Sequence, residues 1–303
     1  MKIKKIIKKI YILVGVVIFF LLVKDIDLNR LKEVISGTNM IYYGIASILY
    51  LPITFLKSYR WKKIMEVQRI NYGTKDAFHM YGASTLLGLA TPGKLGDFSK
   101  IAYLKKDNHS FGKAFLGSML DKIFDLAFVI VFSIVLYLFF PLPLAIAVNY
   151  KKIILWGIAA ALVAGALAAL LYAKKKEMVK NFISEIIYDL KSFSIGSSAI
   201  IFSITAIAWM IYFAMMYLIA MSIGFDKGAG FMHISFAVAL ALMSSLIPIS
   251  MIGIGTRDAV FFFLFLPMGI TKEAIIAFSF LIIINYLALF VVSFYCWLKK
   301  PVI

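Results

Sequence analysis

The run AIIAFSFLIIINYLALFVVSFYCWL, at residues 274–298, contains no charged side chain. A transmembrane α-helix needs about 20 consecutive apolar residues to cross a hydrocarbon core of about 30 Å, so this run predicts a membrane-spanning helix. Blocks of similar character recur at 10–23, 40–56, 119–140, 153–173, 199–223 and 231–247. We therefore predict an all-α, polytopic bundle of about seven transmembrane helices, with the whole chain, 1–303, forming one membrane domain.

The composition supports a membrane protein. Hydrophobic residues make up 63% of the chain and charged residues 16%, whereas soluble domains average about half and a quarter. The net charge of +17 would fit a nucleic-acid binder only if Lys and Arg clustered on a polar surface. Here they separate apolar blocks, so we interpret them as topology signals and expect no nucleic-acid partner.

The distribution of Lys and Arg predicts the orientation. With the N-terminus in the cytoplasm, the cytoplasmic segments hold 24 of the 32 basic residues, mainly at 2–9, 57–113, 174–191 and 299–300. We therefore expect a multi-pass protein of the cell membrane with both termini cytoplasmic.

Two short apolar stretches are interrupted by proline and glycine. The first, 78–90, leads into TPGKLGD at 91–97; the second follows Pro248 and reads GIGTRD at 253–258, before a short apolar run at 259–267. The cytoplasmic excess of Lys and Arg is kept only if each stretch leaves the membrane on the side from which it entered. We predict two re-entrant or broken helical segments, the first entering from the cytoplasm and the second from outside, an arrangement compatible with an inverted repeat.

A helix that is broken inside a membrane exposes unpaired N–H groups and the positive end of its dipole, which can hold an anion. Non-helical backbone is tolerated inside a membrane only where protein or a water-filled cavity covers it. The alternative is that both stretches are tight turns near the interfaces, with hydrated charges. The two stretches supply these candidate substrate-binding residues: Pro92, Gly93, Lys94, Gly96, Asp97, Gly253, Gly255, Arg257 and Asp258.

A further charged motif, DKIFD, opens the span at 119–140. Asp121 and Asp125 lie one helical turn apart and share a face, so Lys122 or another cation must relieve their repulsion. A charge there is either functional or interfacial, and Asp125 is deeper in the helix. Arg60, in the basic loop 57–63, is explained by topology alone, but it is also a candidate ligand for an anionic lipid headgroup.

The remaining features indicate no cofactor. The apolar spacing at 177–193 predicts an amphipathic helix at the membrane surface. The single cysteine, Cys296, allows no intramolecular disulfide and is read as a small buried residue. The three histidines are too far apart for a local metal motif, so we expect neither a metal site nor a cofactor.

Four motifs together resemble the lysylphosphatidylglycerol synthase transmembrane region, or flippase-like, family: YRW at 59–61, LATPGKLGD at 89–97, DKIFDL at 121–126 and GIGTRDA at 253–259. The resemblance covers residues 10–298. It departs from the family at Lys122, where an Arg usually follows the acid, and at Asp258, where the family more often has Glu. The resemblance implies a membrane domain that moves a lipid headgroup between leaflets, and since the chain ends at Ile303 we expect no synthase domain.

The expected function is therefore translocation of an anionic or phosphate-bearing membrane lipid, such as one with a polyprenyl phosphate headgroup, and not catalysis. One alternative is an integral-membrane enzyme acting on a lipid headgroup, because a loop with Arg and Asp could perform acid–base chemistry. Another is a non-transporting scaffold or channel. Formation of a homo-oligomer is left open.

Overall fold

A computed structural model describes residues 17–139, 176–245 and 253–301 of the chain, and these parts are helical. Residues 17–23 form a helical stretch. The helices that follow are α1 (Leu28–Ser36), α2 (Met40–Ile48), α3 (Tyr50–Val67), α4 (Thr74–Leu89), α5 (Lys100–Lys106), α6 (Phe111–Phe139), α7 (Lys176–Lys191), α8 (Ile195–Ser222), α9 (Phe231–Ser245), α10 (Thr256–Phe265) and α11 (Lys272–Lys299). Short 3₁₀ segments lie at Pro92–Ser99, Phe225–Lys227 and Leu266–Met268.

Within the described ranges, four helical units are long and apolar enough to cross a membrane. They are α2 with α3 (Met40–Val67), α6, α8 and α11, each of 28 or 29 residues, or about 42 Å at 1.5 Å per residue. They coincide with the predicted spans at 40–56, 119–140, 199–223 and 274–298. The predicted helical membrane bundle is therefore confirmed.

The number of spans stays a prediction. The predicted span at 153–173 lies outside the described residues, and the one at 10–23 is described only from residue 17. The span predicted at 231–247 corresponds to α9, a shorter apolar helix that is described to Ser245.

The first long unit is interrupted where α2 meets α3. Leu49 separates the two helices, and Pro52 follows in the first turn of α3. Because proline has no N–H to donate to the carbonyl four residues earlier, it interrupts the helical hydrogen bonds at this point. The C-terminal half of α3 packs with α4, α5 and α6, where Trp61 and Ile64 are fully buried.

The core is divided between two groups of apolar side chains. The larger group joins α2, α6, α8, α9, α10 and α11, with Phe213, Phe265 and Phe278 fully buried. The smaller group joins α3 to α6 around Trp61 and Leu104. Charged residues collect between these two groups.

The helices α4 and α11 approach closely because their interface contains small residues. A Cβ added to Gly82 would lie 2.5 Å from the Cys296 Sγ atom, so only glycine fits opposite this cysteine. Cys296 is free and buried. Its packing role matches the prediction from its position in the last span.

Polar contacts define two opposite ends of the bundle. At one end the Asp27 N–H donates to the Glu273 carboxylate, and the Asn39 N–H donates to the Ser222 carbonyl oxygen. At the other end Lys300 Nζ donates to Asp76 at 2.6 Å. Ser110 also pairs with Glu185 there, which joins α7 to the start of α6.

The amphipathic segment predicted at 177–193 forms helix α7 over Lys176–Lys191. Phe182 packs against Phe111 and Phe115 of α6. Ile183 and Ile187 remain exposed, with 45% and 48% of their surfaces accessible. An exposed apolar face of this kind is what a helix lying at a membrane surface presents to lipid.

Candidate functional site

The first broken segment, called here the first break, comprises residues 90–99 between α4 and α5. The backbone turns at Gly93 and Lys94, whose φ angles are 59° and 55°. The Gly96 N–H donates to the Thr91 hydroxyl at 2.6 Å, which closes the turn. The helix thus ends within the predicted proline–glycine motif.

The first break folds back tightly on the last turn of α4. A Cβ on Gly96 would overlap the Leu87 carbonyl group, and a Cβ on Gly88 would overlap the Asp97 carboxylate. A side chain at Gly96 would require the backbone to move, and a side chain at Gly88 would displace the Asp97 carboxylate. The close approach places Asp97 and Lys94 beside the charged end of α6.

Arg60 on α3 lies at the centre of the charges on α6. Its side chain is fully buried, and it donates from Nη2 to Asp121 Oδ1 at 2.5 Å and from Nη1 to Asp125 Oδ1 at 2.6 Å. The Nε atom adds a second bond to Asp121 at 3.1 Å. One guanidinium therefore holds both carboxylates that the sequence places on one face of α6.

Two lysines complete the pairing of these carboxylates. Lys100, at the start of α5, donates to Asp121 Oδ2 at 2.5 Å. Lys57 lies 3.5 Å from Asp125 Oδ1 and 4.3 Å from the centre of the Trp209 ring. Trp209 Nε1 also donates to Asp125 Oδ1, at 2.7 Å.

Burial lowers the pKa of Lys100, since a low dielectric disfavours the ammonium form, while the Asp121 carboxylate opposes this effect. The Lys100 ammonium also lies 4.5 Å from the centre of the Tyr81 ring, so an aromatic face adds to its stabilisation.

Lys122 has a different partner from the one that its sequence position first indicates. It pairs with Asp97 of the first break, while Arg60, Lys57 and Lys100 relieve the repulsion between Asp121 and Asp125. The reason is helical geometry, because the residue after Asp121 points about 100° away from it around the helix axis. Lys122 therefore joins α6 to the first break.

A cavity of about 340 Å³, called here the central cavity, opens beside these charges. Its lining includes apolar side chains, among them Leu126, Val129, Leu242, Met243 and Leu289. It also includes these residues of the first break and the charged cluster: Lys57, Tyr81, Gly93, Lys94, Asp97, Lys122, Asp125 and Trp209. The cavity is thus amphipathic, and both α6 and the first break contribute to it.

The second broken segment, called here the second break, is described from Gly253 to the start of α10. Gly253 and Gly255 have φ angles of 80° and 85°, a region that favours glycine. Asp258 caps the helix by accepting from the Gly255 N–H at 2.8 Å. Pro248, which the sequence motif also includes, lies outside the described residues.

Arg257 and Asp258, which are adjacent in the sequence motif, form an ion pair. Arg257 Nη2 lies 3.2 Å from Asp258 Oδ1 and donates to the Ser279 hydroxyl at 2.5 Å. Arg257 Nη1 is buried and has no hydrogen-bond partner among the residues that the structure describes. Two of the five N–H donors of this guanidinium group, both on Nη1, therefore have no partner in the described part of the chain.

A smaller cavity, of about 30 Å³, links the two breaks. Gly93 and Lys94 of the first break contribute to its wall, as do Gly253 and Arg257 of the second. Tyr212 and Tyr286 border both cavities. The two motifs that are far apart in sequence are thus close neighbours in the fold.

The structure gathers the candidate residues from the first break and α6 in one cluster, and those from the second break beside it. The sequence did not single out Lys57, Lys100, Tyr81 or Trp209 as site residues. Lys57 lies in the same basic segment, 57–63, as Arg60, so its place beside the motif was a usable signal. The prediction of a loop at 57–63 was wrong, because helix α3 continues through these residues to Val67. Lys100 and Trp209 carry no such signal, because their roles depend on contacts between helices.

Comparisons with known proteins agree with the motifs. The sequence model of the lysylphosphatidylglycerol synthase transmembrane region matches residues 9–293. No curated protein and no solved structure matches the chain. Since the matched region covers nearly the whole sequence, this chain belongs to the lysylphosphatidylglycerol synthase transmembrane-region family.

Proposed function

We propose that this chain moves an anionic or phosphate-bearing lipid between the leaflets of a membrane. The observation that supports the proposal best is the amphipathic central cavity inside an apolar bundle. A lipid has one charged end and one apolar end, and the lining of the cavity offers both charged and apolar side chains for these two ends.

The polar residues of the lining suit a phosphate group. Lys57, Lys94 and Lys122 all border the central cavity, and an ammonium group binds a phosphate oxygen through strong charge-assisted hydrogen bonds. Trp209 and Tyr81 supply polar atoms on rigid rings. An acyl chain would lie against the apolar residues of the lining, among which Leu126 has 40% of its surface exposed.

Arg257 is the candidate ligand for the lipid phosphate at a later step of transport. An isolated Arg in a bilayer costs about 2.5 kcal/mol or more, so it needs a partner at all times. Asp258 supplies that partner in this structure, and Arg257, whose Nη1 has no partner among the described residues, borders the cavity that joins the two breaks. We propose that Arg257 exchanges Asp258 for the lipid phosphate during transport.

A vesicle assay with a fluorescent anionic lipid tests the proposal. Wild-type protein should expose inner-leaflet lipid to an external quencher faster than protein-free vesicles do. A Leu126→Trp variant should slow this exposure, because the indole would occupy the central cavity. Its control is Val131→Trp on the same helix, where 51% of the side chain is exposed and the cavity is not bordered.

The same vesicles distinguish the alternatives. If the lipid is chemically altered when it is recovered and analysed by mass spectrometry, the chain is an enzyme. If wild-type protein and the Leu126→Trp variant both leave the lipid in place and unaltered, the scaffold alternative holds and the proposed transport is wrong.

We also propose that both termini are cytoplasmic. The contacts of Lys300 with Asp76 and of Ser110 with Glu185 bring three of the basic regions to one end of the bundle. This is the arrangement that the distribution of Lys and Arg requires. In a Cys296→Ala background, Lys2→Cys and Val302→Cys should resist an impermeant thiol reagent added to intact cells, while Asn29→Cys should react. Labelling of either terminal position from outside would reverse the orientation.

A further inference from the structure

The charges around the central cavity do not cancel. Three carboxylates lie in the cluster, from Asp97, Asp121 and Asp125. Five basic side chains surround them: Lys57, Arg60, Lys94, Lys100 and Lys122. Among the side chains that the structure describes, no further carboxylate pairs with this cluster, so five positive and three negative charges leave an excess of two positive charges.

The excess charge lies at the wall of the cavity. Arg60 is enclosed by Asp121 and Asp125, and Lys122 is paired with Asp97. Lys57 shares Asp125 with Arg60 at the longer distance of 3.5 Å. Lys94 forms no ion pair within the part of the chain that the structure describes, and both lysines border the cavity.

We infer that the central cavity selects a lipid whose headgroup ends in a phosphate monoester, a group with about two negative charges at neutral pH. This inference rests on the proposed function and names its substrate class. A monoester would balance the excess, whereas a phosphodiester with a single charge would leave one positive charge uncompensated. Uncompensated charge is costly in a membrane interior, where water cannot solvate it.

The lipid in the family's name is a poor match to this cavity. A lysyl ester of phosphatidylglycerol has one negative charge on its phosphodiester. Its two amino groups have pKa values near and well above neutral pH, so they add positive charge. Such a headgroup would add positive charge to a cavity that already has an excess of it. The same charge balance therefore disfavours an aminoacylated headgroup as the substrate of this chain.

Transport of three fluorescent lipids with identical acyl chains tests the inference. Wild-type protein in vesicles should move phosphatidic acid, a monoester, about tenfold faster than phosphatidylglycerol, the factor expected when one charge-assisted hydrogen bond is lost. It should move lysylphosphatidylglycerol most slowly. Excess inorganic phosphate should not abolish the preference, since the apolar residues of the lining contribute to binding of the lipid.

Lys94 offers the sharpest variant, because no ion pair breaks when its charge is removed. Lys94→Gln should bring the rate for phosphatidic acid close to that for phosphatidylglycerol, and Lys94→Arg should restore the preference. The backbone at position 94 is left-handed, with a φ angle of 55°, and neither Gln nor Arg introduces a glycine or proline there, so the comparison mainly reports the change of side-chain charge. Lys105→Gln, at an exposed lysine of α5 that does not border the cavity, is the matched control.

The outcomes separate the two proposals. Equal rates for all three lipids, or a preference for the lysyl lipid, would disprove the monoester inference while leaving lipid transport intact. If no lipid moves at all, the proposed function is wrong and the inference falls with it. If free phosphate removes the preference completely, the cavity binds phosphate itself and not the lipid, which also overturns the inference.

Discussion

The first and second breaks have similar sequence motifs but different charge environments. The first break lies against a cavity of about 340 Å³, next to lysines that outnumber their partners. The second break holds a single closed pair, Arg257 with Asp258, which borders a cavity of about 30 Å³. One break is open and positively charged, and the other is nearly closed and neutral.

This difference suggests a division of labour. An open region with excess positive charge attracts and admits an anion, whereas a closed pair can release its cation only when another anion replaces the carboxylate. Because the small cavity borders both breaks, the two regions are adjacent, although a lipid headgroup could pass between them only if this cavity widened. The predicted inverted repeat would account for the shared motif, and it stays a prediction.

The largest loss of stability is expected when Arg60 is replaced, because it pairs with both carboxylates of the buried cluster beside the first break. Arg60→Ala would leave two buried carboxylates without their main partner, and breaking a buried pair costs about 3–5 kcal/mol. The melting temperature in detergent should fall strongly. Arg30→Ala is the control, because Arg30 forms only an exposed pair with Asp27; equal shifts in both variants would contradict the central role of Arg60.

Arg257→Ala should cost less stability but stop transport. Asp258 keeps two partners in this variant, the Gly255 N–H and the Ser279 hydroxyl, so we expect a loss of about 1.5–3 kcal/mol, the range for a hydrogen bond to a charged group. Arg257→Lys should restore transport only in part, since a single ammonium lacks the planar fork of guanidinium. Transport at the wild-type rate by a folded Arg257→Ala protein would exclude the exchange mechanism.

Gly96→Ala tests whether the tight turn of the first break is needed. The added Cβ meets the backbone of Leu87, and overpacking of this kind costs about 1–3 kcal/mol. Transport should fall with it, and the larger Gly96→Val should abolish it. In contrast, a Cβ at Gly44 in α2 meets open space, so Gly44→Ala should be neutral or stabilising by up to about 1 kcal/mol. If the two Ala variants have the same stability and transport rate, the first break is an ordinary loop.

The smallest effect is expected at the pair of Lys122 with Asp97, where the side chains are 29% and 12% exposed. Lys122→Gln should change the free energy of unfolding by less than about 1 kcal/mol, as for other partly exposed pairs. Lys63→Gln, which removes a similar pair with Glu66, is the matched comparison. A cost close to that of Arg60→Ala would show that the first break is as tightly bound as the buried cluster.

Much of the fold and part of the site could be predicted from local sequence. The spans were recognisable because an uncharged run of sufficient length needs no knowledge of its neighbours to prefer lipid. The breaks were recognisable for a similar reason, since the glycines at positions 93, 253 and 255 adopt backbone angles that other residues rarely adopt. The pair of Arg257 with Asp258 is also local, because the two residues are adjacent.

The partners of Asp121 and Asp125 could not be predicted in this way. Arg60, Lys100 and Trp209 reach them from α3, α5 and α8, and such contacts depend on how far each helix is rotated and shifted against the next. A sequence determines which charges must be neutralised once the chain enters a membrane. Only the packing of the helices decided which cations neutralise them, and which two positive charges remain at the wall of the cavity.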